Sequence, residues 1–193
     1  MRVRTGDRAN LQWYGFGDLT PVLLYELLQF RQAIFVVEQS CAYPDLVGLD
    51  QRAQHLLLRV EGALAGCLRL IPFPDETRVK IGRVAVALAR RKRGLAGVLM
   101  KDALARCRRD YPGCTVTLTG QTYLAPFYES LGFVVSSAPY DDYGLSHVDM
   151  VLNPSPARSG ASKARAHQDG ASPMRRGERV ADAKRRPGEG MRD

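Results

Sequence analysis

Arg91-Lys92-Arg93-Gly94-Leu95-Ala96-Gly97 brings three cations and three small residues into one short run. It lies between an apolar strand-like segment, Val79 to Leu88, and a helix-like segment, Leu95 to Arg109. A helix start carries backbone N–H groups without intrahelical partners and a partial positive charge. Small residues there let an anion approach the main chain, and the cations add charge at the same place. Strand, basic turn and helix together make a cradle for a phosphate group. Neither G-x-x-x-x-G-K-[ST] nor G-x-G-x-x-G is present, so the cradle is not that of a P-loop or a dinucleotide fold. A Lys/Arg run alone is more often a solvated face, and a second motif must separate the two readings.

The elements that would position such a site follow from local pattern. Thr20-Pro21 is an N-cap with proline at the first helical position, and Leu23, Leu24, Leu27, Leu28, Arg31 and Ile34 continue a helical face toward Phe35. Residues 38–54 read as a loop with room for a short helical turn. His55–Val60 and Leu64–Phe73 form a hairpin about Glu61-Gly62, and Val79–Val86 is a third strand with a bulge near Val84. The helix from Leu95 stops before Pro112-Gly113. Thr115–Thr119 is a strand, and Tyr123–Leu131 is a helix closed by Gly132. Phe133–Ser136 is a strand, Asp141–Gly144 a turn, and His147–Leu152 the last strand. This order predicts a mixed α/β sheet rather than a regular doubly wound one.

Two motifs resemble the signatures of the GNAT superfamily of N-acetyltransferases. Arg91-x-x-Gly94-x-Ala96 follows the strand Val84-Ala85-Val86, and Phe127-Tyr128-Glu129-Ser130-Leu131-Gly132-Phe133 comes later in the chain. Further segments resemble the ElaA-like branch: Arg31-x-x-Ile34-Phe35-Val36-Val37-Glu38-Gln39, then Tyr43-x-Asp45 and Asp50, Ile81-Gly82-Arg83-Val84-x-Val86, and Gly144-Leu145-Ser146-His147. Gln121 stands where many relatives carry Asn; ElaA-like proteins resemble this chain in having Gln there. The resemblance covers about residues 11–152. It implies the acyl-CoA N-acyltransferase fold, a splayed and mostly antiparallel sheet flanked by helices.

It also implies acetyl-CoA as co-substrate and acetyl transfer to a primary amine by direct attack. Val84, Ala85 and Val86 would pair with the pantetheine arm. Backbone N–H groups from Lys92 through Arg93, Gly94, Leu95 and Ala96 to Gly97 would take the pyrophosphate, with Arg91, Lys92 and Arg93 supplying charge. Tyr128 would protonate the departing thiolate as general acid, and Gln121 would either touch the cofactor or fasten strand to helix. For the base, an amine nucleophile calls for a carboxylate or imidazole near the thioester. Glu38 and His147 are the candidates. Glu38 reads equally as a helix-end ion-pair partner of Arg31, and His147 as a packed strand residue. Asp45, Asp50, Asp141 and Asp142 are available to attract a cationic acceptor.

Composition places limits on class. Residues 1–154 hold 18 Lys+Arg against 15 Asp+Glu, whereas residues 155–193 hold 10 against 5. Most of the formal +8 therefore belongs to a tail with no Leu, Ile, Phe, Tyr or Trp. Such a segment lacks the apolar surface to offset ordering entropy, so it reads as a disordered basic tail after an N-acetyltransferase domain of residues 1–154. Its charge suits weak, salt-sensitive polyanion binding. The rival class is a non-catalytic acyl-CoA-binding or nucleic-acid-associated module. Cys41, Cys67, Cys107 and Cys114 show no metal-binding or disulfide spacing, which fits a reducing cytoplasm, and no apolar run is long enough to span a bilayer.

Overall fold

The three apolar runs at the centre of the chain pair with one another as antiparallel strands. In the computed structural model, which describes residues 9–42 and 44–154, they are β2 (Gln54–Val60), β3 (Ala63–Phe73) and β4 (Arg78–Val86). Around them are β1 (Ala9–Gly15), α1 (Pro21–Gln32), α2 (Leu95–Asp110), β5 (Thr115–Gln121), α3 (Ala125–Glu129), β6 (Val134–Val135), β7 (Tyr140–Asp142) and β8 (Leu145–Leu152). The sheet order is β1-β2-β3-β4-β5-β8-β6, with β7 also paired to β8. Every pairing is antiparallel except β4 with β5. The basic tail of residues 155–193 lies outside the described residues.

Each hairpin turn has its local cause. Glu61 and Gly62, and later Tyr143 and Gly144, take the paired positive φ values of two-residue turns. The second turn is shorter than the sequence suggests, because Asp141 and Asp142 already belong to β7. Thr20 Oγ1 accepts from the Leu23 N–H at 3.2 Å and starts α1. The chain then widens into a π-helical turn, Ala33–Glu38. The helix read over Tyr123–Leu131 divides into a 3-10 turn, Thr122–Leu124, and the five-residue α3. Pro126 explains the restart, since it lacks an N–H and is tolerated only at a helix beginning.

β1 has no counterpart among the strands read from sequence. It is an edge strand, exposed to half-buried, so alternation along it is weak. Trp13 holds it to α2: the indole N–H donates to Asp102 at 2.6 Å, and the Arg106 guanidinium stands 4.5 Å from the indole ring.

The sheet separates two layers. On one side α2 and α3 cover Leu56, Leu58, Leu68, Leu70, Val79, Ile81, Leu118 and Met150. On the other, Leu27 and Ile34 pack on Leu57, Cys67 and Ala85. This second layer is small because charge occupies much of it. Arg31, fully buried, donates to Asp50 at 2.7 Å and pairs with Asp45 at 2.9 Å. Arg69 of β3 donates to the same Asp50 oxygen at 2.8 Å, and the His55 ring nitrogen Nε2 lies 3.1 Å from the Asp50 carbonyl. Glu38 is therefore not the partner of Arg31; the carboxylates of the 45–50 segment are. Burial alone would raise the Asp50 pKa, but Arg31 and then Arg69 outweigh it and hold the carboxyl below the usual range. Burial lowers that of His55 and keeps it neutral. No helix among the described residues is long and apolar enough to cross a membrane.

A carboxyl whose folded pKa is depressed stabilises above its unfolded value and loses that contribution as pH falls through the folded one. Asp50→Asn is therefore expected to cost about 3–5 kcal/mol at neutral pH, because two buried guanidinium groups lose their shared charge. Urea unfolding should show this loss shrinking as pH falls below about 4, where the unfolded parent's carboxyl takes up a proton that the folded one still refuses. Parental stability at pH 7 would mean that Asp50 does not anchor the network.

Candidate active site

β4 and β5 run parallel and pair only from Arg78↔Thr115 to Ile81↔Leu118. Beyond that point the strands part. Gly82–Val86 stay on β3 but have no β5 partner, and Thr119–Gln121 stay on β8. The result is a wedge-shaped gap in the middle of the sheet. A bulge shapes its β4 bank: Arg83 and Val84 together face the single residue Leu68, between the pairs Cys67↔Ala85 and Arg69↔Gly82. This is the bulge that the loosened alternation near Val84 suggests. Arg83 has φ +53, an uncommon conformation for a residue with a side chain. Its side chain is held by Asp45, Nε to Oδ1 at 2.6 Å and a terminal nitrogen to the carbonyl at 3.0 Å. Beneath it, the Cys67 thiol points at the Arg83 carbonyl from 3.6 Å.

The β4 bank leads into the basic turn. Lys92 and Gly94 both have positive φ, and Gly94 is the N-cap of α2 without a side-chain hydrogen bond of its own. Lys92, Arg93 and Gly94 are exposed. A Cβ built on Gly94 or on Gly97 meets nothing within 4 Å, so the space over the turn is open. Leu95 turns its side chain into the core, leaving only its backbone at the helix start. Arg91, read as one of three cations supplying charge to the cradle, is bound on the protein side. Its Nε donates to the Val86 carbonyl at 3.0 Å, and its two terminal nitrogens hold Glu38 at 2.6 and 2.8 Å. The guanidinium is committed to closing the turn against the end of the π-helical segment.

Tyr128 lies behind the β5 bank. Gly120 makes room for it, because a Cβ there would meet Tyr128 Cε2 at 2.9 Å. The ring packs edge-on to Phe127 and Phe133, with centroids 5.1 and 6.2 Å away. Burial, with a small contribution from Tyr123, pushes the phenol up to about 12 and keeps it protonated. On the opposite face Gln121 donates to Gln39 at 3.4 Å, so Glu38 and Gln39 touch both banks of the gap. His147 pairs with Gln121 in register, and its Nδ1 lies 2.9 Å from the Leu145 carbonyl. A carbonyl only accepts, so Nδ1 carries the hydrogen.

The structure brings Val84–Val86, the 91–97 turn, Gln121, Tyr128, Glu38 and His147 around one opening. It does not bring Asp45 and Asp50 there as attractors for a cation: both are buried and spent on arginines. Asp141 accepts from the Gly144 N–H within its turn. Sequence reading passes over Asp149, which pairs in register with Thr119 at the point where the strands part. The available signal was two polar residues, His147 and Asp149, on one face of an apolar strand.

The acetyltransferase (GNAT) domain family matches residues 30–154. Protein ElaA of Escherichia coli is 36% identical over 136 residues, covering 69% of this chain and 89% of ElaA. The chain belongs to the GNAT family, in its ElaA-like branch. The crystal structure of E. coli ElaA has a TM-score of 0.71 over 75% of this chain and 99% of that one, at 34% identity. An acyl-CoA N-acyltransferase from Pseudomonas aeruginosa gives the same TM-score and coverage at 35% identity. A GNAT family acetyltransferase from Elizabethkingia anophelis, solved with acetyl-CoA bound, shares the fold at 16% identity and a TM-score of 0.53, over 75% of this chain and 97% of that one. The open, mostly antiparallel sheet with one parallel, splayed strand pair is thus the GNAT arrangement.

Gly120→Ala tests the packing behind the gap. With its Cβ inside the Tyr128 ring, the variant is expected to lose about 1–3 kcal/mol in thermal or urea unfolding. Gly97→Ala, where a Cβ meets nothing, should be neutral or slightly stabilising in the same measurement. Equal effects would show that the Gly120–Tyr128 approach is not tight.

Proposed function

We propose that this chain is an N-acetyltransferase that moves acetyl from acetyl-CoA to a primary amine by direct attack. One observation carries the reading: the gap between β4 and β5 opens onto an unobstructed, basic helix start. Acetyl-CoA, when bound, supplies an activated acyl group as a thioester. The edge of Val84, Ala85 and Val86 that β5 leaves unpaired offers backbone groups to an extended pantetheine arm, apart from the Val86 carbonyl, which Arg91 already engages. The N–H groups from Lys92 to Gly97 face a site for pyrophosphate, favoured by the α2 dipole and by Lys92 and Arg93. Arg91 holds the turn in shape through Glu38 and Val86.

In the transfer, a new N–C bond forms as the C–S bond breaks, and one proton leaves the nitrogen while another reaches sulfur. Tyr128 gives the proton to the thiolate; burial keeps the phenol in its acid form at neutral pH, and the transfer is driven by the charge that develops on sulfur as the C–S bond breaks. His147 is the better placed of the two base candidates. With Nδ1–H donated to Leu145, the neutral ring keeps its lone pair on Nε2. Glu38, clasped by Arg91, acts as the fastener of the turn.

Calorimetric titration with acetyl-CoA and mass spectrometry of 4-phenylbutylamine, putrescine and glycinamide after incubation test the reading. Gly94→Glu has open space for its side chain, carries the modest strain of a side chain at φ +80, and meets the incoming anion with like charge. It should fold and bind acetyl-CoA roughly tenfold or more weakly; unchanged affinity would remove the cradle. Tyr128→Phe should keep that affinity and lower kcat by about 10²-fold. Full turnover in this variant would take the acid role from Tyr128, and acetyl-CoA binding without acetylation of any amine would favour the non-catalytic module.

A further inference from the structure

Val116, Leu118 and Gly120 turn toward the α2 layer, so Thr117, Thr119 and Gln121 point to the other face of the sheet. On β8 the same alternation buries Val148 and Met150 and sends Leu145, His147 and Asp149 to that other face. The α1-side cluster covers β2, β3 and β4 there but takes no residue from β5, β7 or β8. Among the described residues, then, the Thr119–Asp149 and Gln121–His147 pairs lie beside the gap on a face that the α1-side apolar cluster does not reach, touched at its edges by Gln39 on Gln121 and by Cys41 on the Tyr143 carbonyl.

Asp149 is held there more firmly than an exposed carboxylate needs. Its N–H donates to Ser137 Oγ at 2.9 Å, and its carbonyl accepts from the Ser136 N–H at 2.8 Å. Its Oδ1 accepts from Thr119 Oγ1 at 2.7 Å and from the Tyr140 hydroxyl at 2.9 Å. Burial and then Asp149 itself push the Tyr140 phenol up to about 12, so it remains a donor. The second oxygen, Oδ2, has no hydrogen-bond partner among the described residues, and it is not one of the sealed unpartnered atoms, which are Arg31 Nε and Arg69 Nε. Fixing β5 to β7 uses only Oδ1. A negative charge with one pinned and one open oxygen is left beside the gap.

Along the same face of β8, beyond His147, Leu145 reaches a cleft of about 390 Å³ lined also by Gln121, Thr122, Tyr123 and Ser146. Thr122 and Ser146 hydrogen-bond each other at 2.8 Å, which leaves the cleft to Tyr123, Leu145 and the stem of Gln121. Four steps along the strand take the chain from Leu145 to Asp149, about 13 Å.

We infer that Asp149 receives the ammonium group of the acceptor, and that the acceptor is a primary amine on an extended apolar body lying over His147 toward the Tyr123–Leu145 cleft. This rests on the acetyl-transfer reading and names its substrate class. Charge complementarity is what selects the occupant: Asp45 and Asp50 are consumed by arginines and Glu38 by Arg91, whereas Asp149 keeps an open oxygen.

Asp149→Asn keeps an acceptor at Oδ1 and removes the charge. In the full chain it should raise KM for 4-phenylbutylamine by about tenfold or more, while the acetyl-CoA affinity and melting temperature stay parental. In the parent, 4-phenylbutanol, the same body without charge, should inhibit with an affinity about tenfold or more weaker than the amine's. The alcohol comparison decides alone if the variant does not fold. An unchanged KM in a folded variant, or an alcohol that binds as well as the amine, overturns the inference. So does a parent that acetylates putrescine or glycinamide but not 4-phenylbutylamine, with the proposed function intact. A parent that binds acetyl-CoA and acetylates none of the three overturns the proposed function and this inference together.

Discussion

Asp50 accepts from Arg31 and Arg69 in a layer closed to water, and beside it Asp45 accepts from Arg31 and Arg83. Four parts of the chain meet in this network: α1, the 45–50 segment, β3 and the bulge of β4, with His55 of β2 on the Asp50 carbonyl. Three guanidinium groups share two carboxylates, and the Nε atoms of Arg31 and Arg69 find no acceptor among the described residues. Buried ion pairs are a poor source of net stability compared with well-packed apolar groups, yet removing one member is strongly destabilising. Geometry is what the network supplies. It places a loop against the sheet and holds Arg83 in a conformation that a residue with a side chain seldom adopts.

The gap between β4 and β5 follows from that restraint. A bulge increases local twist and bends its strand, and this one falls two residues past the last β4–β5 pair. β4 keeps its bond to β3 while β5 follows β8, so the centre of the sheet opens at one end only. The opening receives its parts from both layers. The α2 start and Tyr128 come from one side; Glu38, Gln39, Gln121 and His147 come from the other. Arg91 joins Glu38 to the end of β4, and Gln121 joins Gln39 to the end of β5. The π-helical end of the first helix thus straddles the two banks.

Much of this was legible from local pattern. The basic turn, the bulge near Val84, the Gly132 helix stop and the placement of Tyr128 depend on neighbours within a few residues, where residue type decides conformation. β1 was not legible, because an edge strand that is half-buried at most has no strong alternation. Glu38 was paired with the wrong arginine for a related reason. Arg31 is seven residues away and Arg91 is 53, and nothing local indicates which guanidinium the fold will bring. Asp45 and Asp50 looked like surface acids because loops are commonly solvated; they are buried because three arginines from other elements converge on them. Asp149 escaped notice because its partners, Thr119 and Tyr140, acquire meaning only through the strand register.

Cys67 gives the bulge one more consequence. It pairs with Ala85, on the strand whose free edge the proposed function gives to the thioester arm. A thiolate so close to an activated acyl group would be a competing nucleophile, able to capture the acyl chain as a protein thioester and stall the site. Burial pushes this thiol up to about 12. At neutral pH the thiol therefore stays protonated, and it is the anion that attacks. Under the proposed acetyl transfer, the apolar layer that closes over Cys67 is chemical insulation, keeping a sulfur nucleophile silent one strand away from a sulfur leaving group.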